Sequence, residues 1–321
     1  MTSLKKQKVA TFLALFLLSC FLFVALKAVA DSFQDNAGND QYGQPARLAD
    51  LENKSVKESS GIAASKRNAN IFWTNNDSGD GPFIYAFDRQ GKDRGVWRVA
   101  GAKAQDWEDM AIGPGPRRGR SYIYIGDIGD NSRKRDEIIV YRVAEPSITS
   151  KTSPSTAERP HNTEAAGVIR LKYPDGKHDA EALLVHPSTG DLYIVTKVRG
   201  TSAGVYKLKA PFPKSGVSTL VSLGEIQFPS GHIGLITGGD ISPDGQRVVL
   251  CDYFRAYELT LENKRVTSFD AIWKLVPLAV GIGTRRQGES ICYRADGMAL
   301  LATSEGLPCP LIEITRSIQK H

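Results

Sequence analysis

Short runs of β-branched and aromatic residues, separated by turn signals, dominate this chain, and helical periodicity is scarce. Ile71-Phe72-Trp73, Tyr122-Ile123-Tyr124-Ile125, Leu192-Tyr193-Ile194-Val195, Val248-Val249-Leu250 and Leu300-Leu301 are examples. Runs of this length and composition predict strands. Thr189-Gly190, Asp244-Gly245 and Asp296-Gly297 precede three of them and supply hairpin-turn residues.

These runs belong to a repeat. Five segments align: Glu58–Ile62 (ESSGI), Asp106–Met110 (DWEDM), Asp179–Leu183 (DAEAL), Thr237–Ile241 (TGGDI) and Gln287–Ile291 (QGESI). Each opens a strand, followed by a turn, a second strand, a polar loop and a third strand. The third strands are predicted at 84–87, 138–143, 205–208, 256–259 and 311–314, and a fourth fits before the next motif, as at Gly167–Lys172. Radial repetition of four-stranded antiparallel modules predicts an all-β fold, a single β-propeller. Five blades are expected, with six the alternative because the motif spacing is uneven. The fifth module ends near Ser317 without a fourth strand. Residues 46–53 are expected to supply it and close the ring, removing an exposed edge.

Outside the repeat, the polar, Gly-rich residues 31–45 predict a flexible tail. Residues 146–165, with Pro146, Pro154 and Pro160, predict a long exposed loop. The propeller is therefore assigned to residues 46–321.

Residues 1–30 change the reading of charge and location. Lys5, Lys6 and Lys8 precede the apolar run Val9–Leu26, and Ala28-Val29-Ala30 has the small-x-small pattern of a cleavage site. This layout predicts a signal peptide over 1–30 and a secreted or periplasmic protein. The apolar run just reaches spanning length, so an uncleaved membrane anchor, with the propeller facing outside, is the alternative. Leu17-Leu18-Ser19-Cys20 resembles a lipoprotein box and ranks third, because Phe21–Leu26 stays apolar past the cysteine. Residues 1–30 hold four lysines and no acid, so residues 31–321 carry 37 Lys and Arg against 35 Asp and Glu. That balance excludes a nucleic-acid footprint, which needs a clustered basic face. A monomer is expected. Cys251, Cys292 and Cys309 are an odd set: Cys292–Cys309 is the preferred disulfide, and three buried thiols are the rival reading.

The repeat also predicts where chemistry gathers. In a blade, the start of the innermost strand and the end of the antiparallel second strand lie at the same end of the ring. One motif column reads Glu58, Asp106, Asp179, Thr237, Gln287; two positions on it reads Ser60, Glu108, Glu181, Gly239, Glu289. Asp109 and Asp240 follow. The loops after the second strands add Asn75, Asn76 and Asp77; Asp127, Asp130 and Asn131; Lys197; Asp252; and Glu305. Carboxylates crowded at one mouth repel unless some are protonated or a cation joins them. Calcium suits an oxygen-only donor set best; zinc does not, since the His and Cys residues lack ligand spacing. The expected metal ligands are Glu108, Glu181, Asp240 and Glu289. The rival reading is that such acids, Asp109, Asp127 and Asp240 above all, bond backbone amides and fasten blades. Basic residues on the same face, Arg133, Lys197, Arg255 and Arg286, are the candidate substrate-binding set for an anionic ligand.

Three further candidates rank lower. Gly200–Gly204 (GTSAG) matches the nucleophile-elbow string, but in a strand–loop–strand setting that argues against Ser202. His178 and His232 are candidate acid–base groups, with a surface structural role as the rival. Trp73, Trp97, Trp107 and Trp273 are expected in blade cores, with Trp107 as an alternative channel-lining platform.

Glu58–Ala63, Asp106–Ala111, Tyr124–Asn131 (YIGDIGDN), Asp179–Leu183 and Thr303–Gly306 resemble exported bacterial β-propellers of unknown function. That group is similar to the SdiA-regulated and phytase-type esterase-like propellers, and more distantly to the five-bladed calcium-activated apyrases. The resemblance covers about residues 55–315. It implies an axial calcium nearest Glu108, Glu181 and Glu289. Ser60 and Gly239 interrupt that column, so the site is asymmetric. The resulting expectation is a calcium-dependent hydrolase of an anionic phosphoester or carboxyl ester, with Asp106 or Asp179 orienting the attacking water. The alternative is a non-catalytic propeller that binds a glycan, a peptide or another envelope component.

Overall fold

The computed structural model describes residues 41–200, 202–229, 235–261 and 268–317. Five antiparallel sheets form a five-bladed β-propeller. Strand β1 (Ala46–Asp50) comes first in the chain but belongs to the last blade. Blade 1 is β2 (Ser59–Ala64), β3 (Ile71–Asn76), β4 (Phe83–Asp88) and β5 (Asp93–Arg98). Blade 2 is β6 (Trp107–Pro114), β7 (Ser121–Asp127), β8 (Ile138–Ala144) and β10 (Gly167–Lys172). Blade 3 is β11 (Ala180–Val185), β12 (Leu192–Thr196), β13 (Ser202–Leu208) and β15 (Val221–Gln227). Blade 4 is β16 (Gly238–Ile241), β17 (Arg247–Cys251), β18 (Arg255–Thr260) and β19 (Leu278–Gly281). Blade 5 is β20 (Gly288–Tyr293), β21 (Ala299–Ser304) and β22 (Pro310–Thr315), completed by β1.

The predicted closure is present: β1 pairs antiparallel with β22, Arg47 opposite Ile312 and Asp50 opposite Pro310. The pairing continues upstream. Tyr42 bridges Arg316, and the Gly43 amide donates to Thr315 O at 2.8 Å. Residues 41–45 are thus fastened along β22; the rest of the expected tail and the signal segment lie outside the described residues.

Two edge pairings had no sequence signal. In the connection between the third and fourth strands of blade 2, β9 (His161–Asn162) adds to the outer edge of blade 1, parallel to β5. In the connection within blade 3, β14 (Val217–Thr219) adds parallel to β10. The segment 146–165 therefore lies over blade 1. Ser155 is buried against it, its hydroxyl donating to Val96 O at 3.1 Å and accepting from Val96 N at 2.8 Å.

Apolar side chains on the flat faces of the blades meet those of the next blade, so each of five cores lies between two neighbours. Trp73, Trp97, Trp107, Met110 and Ile123 fill the junction of blades 1 and 2. Leu183, Ile194 and Tyr124 fill that of blades 2 and 3. Trp273 packs with Tyr193 and Tyr257 between blades 3 and 4. All four tryptophans are core residues, Trp107 included: it is 1 % exposed and tilts against Tyr141 rather than lining the channel. The preferred disulfide is corrected: Cys251, Cys292 and Cys309 are all free thiols. Each is buried in an apolar cluster, so packing rather than a cross-link fastens the last strands.

Candidate metal centre at the axial mouth

The innermost strands carry a local irregularity where the motif sits. Pairing shifts between Ser59 and Gly61 in blade 1, Trp107 and Met110 in blade 2, Ala180 and Ala182 in blade 3, and Gly288 and Ile291 in blade 5. The skipped residues are Ser60, Glu108 with Asp109, Glu181, and Glu289 with Ser290; they include the whole Ser60, Glu108, Glu181, Glu289 part of the column read from sequence. A bulge re-aims one side chain out of the alternating pattern. Blade 4 pairs regularly, Gly238 with Cys251 and Gly239 with Leu250, so it presents no acid there.

Backbone bonds confirm the shared face. The loop after the second strand returns to the motif start of its own blade: Asp77 N to Glu58 O at 3.0 Å, Gly129 N to Asp106 O at 3.3 Å, Lys197 N to Asp179 O at 2.9 Å, and Glu305 N to Gln287 O at 2.9 Å. The tightest group is Asp77, Asp106 and Glu108, each with a carboxylate oxygen within 4.8 Å of the others'. Asp77 comes from blade 1 and the other two from blade 2. Asp77 was legible as a loop acid on this face, but nothing in its spacing marked it as the partner of Asp106.

Electrostatics show the strain of this crowding. Burial, then Asp77, raises the pKa of Asp106 to about 6. Burial raises Glu108 further, with Glu181, Asp77, Asp106 and Glu289 adding to it. Glu181 and Glu289 are raised by burial as well, and Glu305 is pushed up to about 8 by burial and Glu289. One ammonium joins them. Lys197 bonds Glu181 Oε1 and lies 5.2 Å from the centre of the Tyr253 ring. Burial alone would lower its pKa, but Glu181 more than offsets this and holds it above the usual value. Gln287 donates to Glu289 Oε1 at 2.9 Å. Three buried oxygens in this region have no hydrogen-bond partner: Glu181 Oε2, Ser60 Oγ and Asn75 Oδ1. Buried oxygens left in that state cost roughly 1–3 kcal/mol each, so they mark where a cation or water fits.

Other predicted residues have different work. Asp240 stands apart from the three glutamates. Its carboxylate accepts from its own neighbour Ile241 N (2.8 Å) and from Tyr293 N of blade 5 (2.9 Å). It borders a small cavity with Lys66 and Pro243 at the far ends of the inner strands. Asp240 is therefore a fastener between blades, the rival role considered for it. Asp109 is another, accepting from Met110 N, Leu183 N of blade 3 and Gly239 N of blade 4. Glycine at 238 and 239 permits this close approach: a Cβ at 238 would stand 2.5 Å from Glu289 O, and one at 239 2.9 Å from Val249 O. Asp127 pairs with Arg135 at 2.8 Å and accepts from Gln105 N and Asp106 N. Asp179 Oδ1 accepts from Asp130 N at 2.9 Å, clamping the blade 2 loop to blade 3.

Among the candidate substrate-binding residues, Lys197 alone is in the acidic group. Arg133 is an exposed loop-tip residue with φ of 50°, and Arg286 is exposed beside Gly306. Arg255, half-buried, begins β18. Its neighbour Arg285 is buried and donates to Asp252 O and Thr303 O, a structural role. Ser202 begins β13 rather than an elbow. His178 bonds Asp175 and Tyr206 near the surface, and His232 lies outside the described residues.

Gly129 closes one side of the site. A Cβ there would come 2.1 Å from Glu108 Oε1 and 2.5 Å from Asp106 Oδ2. Gly129→Ala is expected to push both carboxylates aside and weaken divalent-cation binding by at least about tenfold, with about 1–3 kcal/mol lost from stability. Calorimetric titration of calcium into both proteins checks this, and equal affinities would refute the placement.

The chain matches no known protein family and no curated protein at a significant level.

Proposed function

We propose that the axial mouth binds calcium and that the protein is an exported hydrolase of an anionic ester. The observation that carries the reading is Glu181 Oε2, buried and without a partner, in a group whose acids outnumber its one ammonium. Glu108, Glu181 and Glu289, with Asp77 and Asp106, form an oxygen-only set of the kind calcium takes. The described thiols lie buried in apolar clusters and offer zinc nothing comparable. When bound, the ion would supply positive charge for an ester's anionic oxygens.

The chain's own residues suit the rest. Asp106 is half-buried with its backbone held by Asp127, while Asp179 Oδ1 is taken by Asp130 N, which favours Asp106 over Asp179 as the carboxylate that orients an attacking water. Lys197 would steer an anionic group from the blade 3 side. The resemblance to phytase-type and apyrase propellers supports this class, and the leader-like residues 1–30 support a secreted or periplasmic location. A second reading has its own support. Asp127, Asp130 and Asp179 are spent on loop structure, as expected of an ion that only stabilises a non-catalytic binding propeller.

The test is a screen of p-nitrophenyl phosphate, p-nitrophenyl acetate and a lactone, with and without calcium. Calcium-dependent turnover is expected, reduced at least about a hundredfold in Asp106→Asn and abolished in Glu181→Gln. Calcium binding without turnover of any ester would favour the binding reading. Turnover indifferent to both substitutions would remove the mouth from the mechanism.

A further inference from the structure

A polar groove of about 630 Å³ lies on blade 1 at the end opposite the mouth, within the size range of small-ligand sites. Its walls are the β2–β3 turn, the β4–β5 turn and the start of the long β8–β10 connection of blade 2. The walls are pinned by buried bonds. Asn68, 8 % exposed, accepts from Ile148 N at 2.8 Å and donates to Pro146 O at 3.0 Å. Beneath it, buried Glu145 accepts from Trp73 Nε1 at 3.0 Å and Ser121 Oγ at 2.5 Å. The groove thus exists before any ligand arrives, which lowers the ordering cost of binding.

Its charge is positive. Arg67, Arg94 and Asp88 line it. Asp88 is already committed: it accepts from Gln90 N (2.9 Å) and Lys92 N (3.0 Å) and holds the Arg94 guanidinium. Arg67 is exposed and makes no ion pair among the described residues. The remaining polar lining is amide and hydroxyl: Asn70, Gln90, Thr149 and the serines beside it. No aromatic ring lines it, so a nucleobase finds no stacking platform.

We infer that this groove binds an acidic oligosaccharide, with a sugar carboxylate on Arg67 and sugar hydroxyls on Asn70, Gln90 and Thr149. A guanidinium reads a carboxylate through two parallel hydrogen bonds, and hydroxyl-rich chains match amide and hydroxyl linings. The site is separate from the mouth and does not depend on its chemistry.

Isothermal titration of the full chain with tetragalacturonate, maltotetraose and tetraglutamate tests it. Saturable one-to-one binding of tetragalacturonate alone is expected. Arg67→Ala should weaken it about tenfold or more, Gln90→Ala less, and Glu181→Gln not at all. Arg67 is exposed and makes no ion pair among the described residues, so its variant keeps the wild-type melting curve and the comparison stays one of folded proteins. Absence of binding, indifference to Arg67→Ala, or equal binding of maltotetraose or tetraglutamate would overturn the proposal.

Discussion

Replacing Asp109 by alanine is expected to lower the unfolding free energy by about 3–5 kcal/mol, among the largest single losses in the ring. The carboxylate is fully buried and contacts three blades at once. Oδ1 accepts from Met110 N of its own strand at 2.8 Å. Oδ2 accepts from Leu183 N of blade 3 at 3.0 Å and from Gly239 N of blade 4 at 3.2 Å. Alanine leaves three buried amides without acceptors and a void at the axis, and water fills little of so enclosed a space. Asparagine keeps the shape but turns a donor toward the amides, so Asp109→Asn should cost about half as much. Urea unfolding followed by tryptophan fluorescence measures both. A loss below about 1 kcal/mol for alanine would show that the inner strands hold together without this fastener.

The second large effect is linked to pH. Asp106, Asp240 and Glu305 have folded pKa values near 6, 7 and 8, all raised chiefly by burial. In the unfolded chain they titrate near the ordinary carboxylate value, about 4. Between those limits the folded state binds more protons than the unfolded one, so stability falls as pH rises. Their penalty is absent below about pH 4 and complete above about pH 8. Asp106 and Glu305 are about half exposed to solvent and count for less than their shifts suggest. The total is several kcal/mol, with Asp240 the largest share. Chelator-treated protein should therefore melt higher at pH 5 than at pH 8. Calcium should narrow that gap by favouring the ionised mouth, adding about 2.7 kcal/mol at a hundred times its Kd. Glu108→Gln should raise the metal-free melting temperature at pH 8 and lose the calcium response. A pH-independent melting temperature in chelator would dispose of the crowded-carboxylate account.

Much of the ring was legible in the chain, and particular residues show why. The motif columns located Ser60, Glu108, Glu181 and Glu289, because a bulge repeated at the same place leaves a repeated sequence trace. Closure by residues 46–50 followed from the missing strand of blade 5. Asp109 and Asp240 share one motif column, one position past Glu108, and the fastening role was readable for both; what the sequence left open was Asp240, which stood among the expected ligands as well. A one-position shift along an inner strand decides whether a carboxylate meets the mouth or a neighbouring blade's amides. The pairing of His161–Asn162 with β5 left no trace either: two residues in parallel register carry no alternation and no hairpin turn. Thr149 reaches Arg67 and Gln90 of blade 1 only because the β8–β10 segment of blade 2 folds back over blade 1.

The shared sheet of β1 and β22 imposes an order on synthesis. β1 leaves the ribosome before any blade exists, while its partner β22 follows all the other strands of the ring. Four blades can pair their strands as they emerge, but the first edge waits unpaired until the last is complete. Final assembly therefore rests on a contact between the first and last strands of the ring, a long-range pairing that is slow to form. A chain that stops before Pro310 lacks β22 and leaves β1 without the edge that would have covered it. Such fragments are expected to be open rings, prone to pairing with one another or with an unfinished copy of the same chain.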